Sequence, residues 1–200
     1  VHVVEGEGGL TPGRISEALA TAGTASLDNI ILHIDWNQAS IDSNHVCRDE
    51  KGPGEYVQWD PAELAYLHDW NVIFVPDGKD FQQIIAAQRK AMKMESGQPT
   101  AIVYRTVKGW QYGMEGKVSH GGGHGLCTDG FFAALKPFLQ ETNRPLPVCE
   151  AGNQRCGAGA RSDVMEACLW EALTILRDVL VRDQGIVGAL AQRLLHAGIA

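Results

Sequence analysis

Through residue 106, short apolar runs alternate with longer amphipathic stretches, and this alternation restricts the fold more than any other feature of the chain. Val1–Val4, the run NIILHI at 29–34, NVIFV at 71–75 and TAIVYRT at 100–106 read as strands, the first as the end of a buried one. Between them the pattern predicts helices over 14–22, with Ile15, Ala18 and Leu19 on one face, and over 80–94, closed by Gly97. Another opens at Pro61, with Asp60 as its N-cap and Glu63 at its third position. Strand–helix repetition of this kind builds right-handed βαβ units. The expectation is an α/β fold, a mostly parallel sheet with helices on both faces. A helix over 129–139 follows, then a polar, Pro- and Gly-containing linker at 141–161 and a helical C-terminal segment at 162–200. The C-terminal helices, 162–182 and 185–197, have no evident sheet to pack on.

Composition removes several classes. Seventeen Lys and Arg against 24 Asp and Glu give a net charge of −7, so the basic footprint of a nucleic-acid or anionic-membrane binder is missing. No apolar stretch approaches the roughly 18 residues of a membrane helix. Five cysteines (Cys47, Cys127, Cys149, Cys156 and Cys168) form no CxxC pair and read as reduced thiols of a cytoplasmic protein.

Ligands of parallel sheets sit at the C-terminal strand ends, and three unusual segments fall there: the turn Gly6-Glu7-Gly8-Gly9, the loop beginning DWNQASID at Asp35, and VSHGGGHG. Glu7 and Asn37 follow neighbouring strands and can offer a carboxylate and an amide oxygen to one hard cation, Mg²⁺ (or Ca²⁺). Gly6 and Gly8 allow backbone N–H groups to approach a diphosphate, and the helix after Pro12 turns its positive end the same way.

The stretch from Gly6 to Asp42 resembles the thiamine diphosphate-binding segment of transketolases, in which a Gly-Asp-Gly precedes an Asn within D-x-N-x-x-S-I-D by about thirty residues. Here the second half stands as Asp35-Trp36-Asn37-Gln38-Ala39-Ser40-Ile41-Asp42. The resemblance continues through PTAIVYRTVKG, similar to the family's K-T-x-x-G strand end, to His124-Gly125, and so covers residues 1–140. It implies a thiamine diphosphate-binding domain, incomplete and N-terminally truncated, with further strands and active-site histidines before Val1 and a pyrimidine-binding domain beyond. By position, Glu7 would ligate Mg²⁺ in place of the usual Asp, Asn37 through its side chain and Ala39 through its carbonyl. Gly6 and Gly8 would face the diphosphate and Ile41 the thiazolium ring. His124 matches a family histidine near diphosphate and sugar, and His120, on the same loop, joins it as a second catalytic candidate.

The implied activity is transfer of a two-carbon ketol unit between sugar phosphates, in a dimer and only with a pyrimidine-domain partner. Glu7, a GEG turn shared with branched-chain 2-oxo acid dehydrogenases, keeps the thiamine-dependent component of such an enzyme as an alternative. Pro12, where the family usually has an acidic residue, and the missing pyrimidine domain keep a non-catalytic or fragmentary module with an assembly role as another. The HGGG run at 120–123 lacks the nucleophile elbow of an esterase and the helical spacing of a zinc-protease histidine pair. Cys47 reads as an inert thiol, His33 as a packed strand residue, Asp42 as a loop-ordering residue, and the tryptophans as core or interface residues.

Overall fold

The computed structural model describes residues 1–125, 128–143 and 162–198. The chain divides into two compact units, Val1–Gly122 and Gly123–Ala200. In the first, four strands, β1 (His2–Gly6), β2 (Ile31–Trp36), β3 (Asn71–Val75) and β4 (Thr100–Arg105), form one sheet in the order β1-β2-β4-β3. Every pairing is parallel. All C-terminal strand ends therefore lie along one edge, where Glu7, Asn37 and Thr106 follow their strands.

Helices cover both faces, as expected for α/β. On one side α1 (Gly13–Thr24) and α2 (Pro61–Leu67) bury Leu19, Ala22, Leu64 and Ala65 against Leu32, Ile34, Ala101 and Val103. Trp70 joins this core and donates from Nε1 to the Leu19 carbonyl at 2.9 Å, satisfying its one polar atom. On the other side α3 (Phe81–Ala91) packs Ala87 and Ala91 on Ile73, Val75 and Ile102. Strand β4, flanked by β2 and β3, is buried from Thr100 to Tyr104.

Local chemistry sets the element ends. Asp60 caps α2 by accepting from Glu63 N at 2.8 Å, while the Glu63 carboxylate pairs with Arg48 at 2.6 Å instead of turning back to close a capping box. Asp80 caps α3, accepting from Gln82 N at 2.8 Å. That helix ends at Ala91, short of the expected 94, and Gly97, in the left-handed region at φ 74°, belongs to the turn that follows.

One strand expectation needs correction. The first run is an exposed edge strand, with Val4 76% exposed, because among the described residues no further strand pairs on its outer side. His33, expected as a packed strand residue, is half-buried in β2, where its ring stacks between His2 and Tyr104 and hydrogen-bonds to them at 2.9 and 2.8 Å.

The second unit contains α4 (Asp129–Thr142), α5 (Ser162–Leu180) and α6 (Gln184–His196). Leu135 of α4 and Cys168, Ala172 and Ile175 of α5 are buried, and α6 buries no residue. Most of the expected linker, from 144 on, lies outside the described residues, as do Cys127, Cys149 and Cys156. No helix among the described residues is long and apolar enough to cross a membrane.

Candidate functional site

The turn after β1 is a single 3₁₀ turn, Glu7–Leu10, which carries the Glu7 side chain into the protein beneath the strand ends. Glu7 is 1% exposed. Its Oε2 accepts from the backbone N of Asn37 at 3.2 Å, while Oε1 is buried and has no partner. Burial pushes this carboxyl from an ordinary 4.5 up to about 7, backbone N–H groups oppose the rise, and the nearby Asp35 carboxylate adds to it. A buried oxygen without a partner is costly for a fold to maintain, and a cation at Oε1 would satisfy it.

Asn37 begins the loop after β2, and its Oδ1 accepts from Ala39 N at 2.8 Å. An amide oxygen has a second lone pair, so Asn37 can still face a cation. Among the described residues no cluster of three or more His, Cys, Asp or Glu forms a metal cage. The donors available are one carboxylate, one amide oxygen and backbone carbonyls, a hard-oxygen set that suits Mg²⁺ completing its shell with phosphate oxygens and water. Space is open beside Gly8, where an added Cβ would meet nothing within 4 Å.

The loop is held in shape by contacts that the sequence did not reveal. Gln38 sits in the left-handed region at φ 65°, an uncommon conformation for a non-glycine residue. Its buried amide clasps Cys47, donating to the carbonyl at 2.8 Å and accepting from the N–H at 2.8 Å, and also donates to Asp49 at 2.9 Å. Asp49, its side chain 1% exposed, receives Arg105 at 3.2 Å and His45 at 2.9 Å. Arg105 in turn donates to the Trp36 carbonyl at 3.0 Å and stacks on the Trp36 ring. Beneath Asn37, the Asp35 carboxylate accepts from Asn37 Nδ2 at 2.7 Å and from the Thr106 hydroxyl. Asp35 lay inside the motif as read, without a role. Asp49 and Arg105 carried no signal, since their partnership spans 56 residues.

The other expected residues fall as follows. Ala39 is half-buried two residues beyond Asn37, and Ile41 is 73% exposed beside the loop. Asp42 accepts from Ser40 at 3.2 Å and from the Tyr56 hydroxyl, bonds that hold its carboxyl below its usual range and order the loop. Cys47 is fully buried, and burial pushes its thiol up to about 12, as an inert residue requires. Gly109, of the K-T-x-x-G-like segment, has φ 74° and would collide with the Met114 carbonyl if it carried a Cβ. His120 is exposed at the end of the first unit. His124 is half-buried in the second, packed so closely on Gly130 that a Cβ there would strike its ring. Trp36 and Trp70 are core residues, whereas Trp110 and Trp170 are exposed.

Residues 1–138 match the family described as transketolase, thiamine diphosphate binding domain. A transketolase of Streptococcus pyogenes serotype M6 is 30% identical over 162 residues, which is 80% of this chain and 20% of that protein. The transketolase of Physarum polycephalum is 30% identical over 107 residues, 54% of this chain and 15% of that protein. The fold is similar to a crystal structure of transketolase in complex with sedoheptulose-7-phosphate from Pichia stipitis, with TM-score 0.59, 22% identity, 98% of this chain and 26% of that one. It is similar also to transketolase from Campylobacter jejuni, with TM-score 0.56, 24% identity, 97% of this chain and 28% of that one. The chain thus spans about a fifth of the curated relatives' length, and it belongs to the transketolase family through its thiamine diphosphate-binding domain.

Proposed function

We propose that this chain supplies the diphosphate half of a thiamine diphosphate-dependent transketolase-type enzyme, which transfers a two-carbon ketol unit between sugar phosphates once a pyrimidine-binding domain completes the site. The observation that carries this reading is Glu7 Oε1, buried and unpartnered at a strand end, with Asn37 on the neighbouring strand end bonded to the same carboxylate. In this reading Glu7, the Asn37 amide oxygen and the Ala39 carbonyl hold Mg²⁺ or Ca²⁺, and Gly6 and Gly8 line the diphosphate. Ile41, exposed on this chain, meets the thiazolium ring, and its exposure suits a wall completed by cofactor and partner. His124, with His120 on the same loop, bonds to diphosphate or substrate oxygens. When bound, the cofactor supplies the electron sink for breaking and making the carbon–carbon bond, while the protein binds and orients it.

In this reading the enzyme is a dimer acting on sugar phosphates, and the similar transketolase from Pichia stipitis is described in complex with one, sedoheptulose-7-phosphate. The described cysteines, Cys47 and Cys168, are both free, in keeping with a reducing cytoplasmic setting. In the assembled enzyme, Asn37→Ala removes Mg²⁺-dependent cofactor binding, a loss on the order of 100-fold or more in calorimetric titration. Unchanged cofactor affinity in that variant overturns the ligand assignment. Glu7 in place of Asp favours a second reading, the thiamine-dependent component of a 2-oxo acid dehydrogenase. Turnover of pyruvate instead of xylulose 5-phosphate would establish it, and turnover of neither with the partner present would mark an assembly module.

A further inference from the structure

The hydrogen bonds beneath the loop bear on how Asn37 is aimed. Asp35 is the penultimate residue of β2, held in register between Gly6 of β1 and Tyr104 of β4. Its two carboxylate oxygens have separate tasks: Oδ1 accepts from the Thr106 hydroxyl and Oδ2 accepts from Asn37 Nδ2 at 2.7 Å. An ionised carboxylate only accepts, so it fixes which end of the Asn37 amide faces it. The opposite end, Oδ1, accepts from Ala39 N at 2.8 Å. A flipped amide would set oxygen against carboxylate and NH₂ against N–H, two repulsive contacts in place of two bonds. The Asn37 oxygen is therefore committed to the side away from Asp35, toward the Ala39 N–H, where its second lone pair stays available.

We infer that Asp35, itself anchored by Thr106, is a positioning residue that holds the Asn37 amide with its oxygen toward the cation. The inference rests on the proposed cofactor role and goes beyond it, since Asp35 touches neither metal nor diphosphate in that role. Partners of this kind behind a metal ligand carry affinity because they remove the ligand's wrong orientations before binding.

The test is an exchange. Binding of Mn²⁺ in the presence of thiamine diphosphate, followed by electron paramagnetic resonance, is compared in the enzyme assembled with its pyrimidine-binding domain and carrying the parent sequence, Asp35→Asn, or the double variant Asp35→Asn with Asn37→Asp. The single variant puts two amides face to face and frees Asn37 to turn, so affinity falls about 10- to 100-fold. The double variant restores one donor and one acceptor with an oxygen still facing the cation, and affinity returns to within about threefold of the parent. Asn37→Asp alone, which sets a carboxylate against the Asp35 carboxylate, binds more weakly than the double variant, so the recovery belongs to the pair and not to the added charge. Unchanged affinity in Asp35→Asn, or a double variant as weak as the single, overturns the inference while leaving the cofactor role standing. A parent protein that binds no Mn²⁺ overturns both.

A second readout needs no metal. In the parent, one Asn37 side-chain amide proton is shifted downfield and exchanges slowly in nuclear magnetic resonance spectra, and Asp35→Ala abolishes this. An Asn37 amide that rotates freely in the parent overturns the inference by itself.

Discussion

The backbone N–H of Asn37 donates to Glu7 Oε2 across 3.2 Å, joining residues 30 positions apart in the chain and leaving the other oxygen of the same carboxylate buried without a partner. One bond ties the ends of two adjacent parallel strands, and in the proposed function the leftover oxygen is the one that takes the cation. Stability and binding follow from that asymmetry.

The first consequence is a pH dependence. Because the Glu7 carboxyl is raised from 4.5 to about 7 in the fold, the metal-free protein binds more protons folded than unfolded between those values. Its contribution to stability is fully present below pH 4.5 and is lost as pH rises through 7, a swing of about 3 kcal/mol. Urea denaturation in a chelator at pH 5 and pH 8 should show the loss, and Glu7→Gln should flatten it while abolishing cation binding. A parent protein equally stable at both values would show that the carboxylate is not stranded.

The loop clamp is a separate matter. Asp49→Ala leaves Arg105, His45 and the Gln38 amide without their shared acceptor, and removing one member of a buried charged network costs about 3 kcal/mol. Arg105→Lys loses less, because the ammonium keeps a positive charge beside Asp49, although it cannot span Asp49 and the Trp36 carbonyl as the guanidinium does. Denaturant midpoints order the proteins as parent, Arg105→Lys, Asp49→Ala, from most to least stable.

Cys47 offers a chemical check on the same loop. With its thiol buried and pushed up to about 12, it reacts with a disulfide reagent only after unfolding. Peptide mapping after brief labelling at pH 8 should leave it unmodified in the folded protein. Rapid modification would mean that the loop opens.

Sequence alone made the architecture legible where local pattern decides it. The runs at 29–34, 71–75 and 100–106 became β2, β3 and β4, and Asp60 capped its helix because its short side chain reaches the first free N–H groups. Glu7 and Asn37 were found because each follows a strand directly, so their neighbourhood depends on strand order alone. Burial of β1 was misjudged for the opposite reason: Val3 and Val4 are as apolar as the residues of β4, but an edge strand is covered only by what packs beside it. The grip of Gln38, Asp49 and Arg105 was illegible because it joins a left-handed loop residue, a mid-loop carboxylate and the end of a distant strand. The meeting of Asp35 with Thr106 was hidden likewise, since it depends on the register of β2 against β4.

The central claim is that this chain recognises the diphosphate end of the cofactor through a cation held at Glu7 and Asn37. Calorimetric titration of the chain with inorganic pyrophosphate and with thiamine, each with Mg²⁺ and with a chelator, tests it most directly. The account predicts binding of pyrophosphate that requires Mg²⁺ and vanishes in Glu7→Gln, with no binding of thiamine. Pyrophosphate binding that persists in the chelator, or that survives Glu7→Gln unchanged, would contradict it.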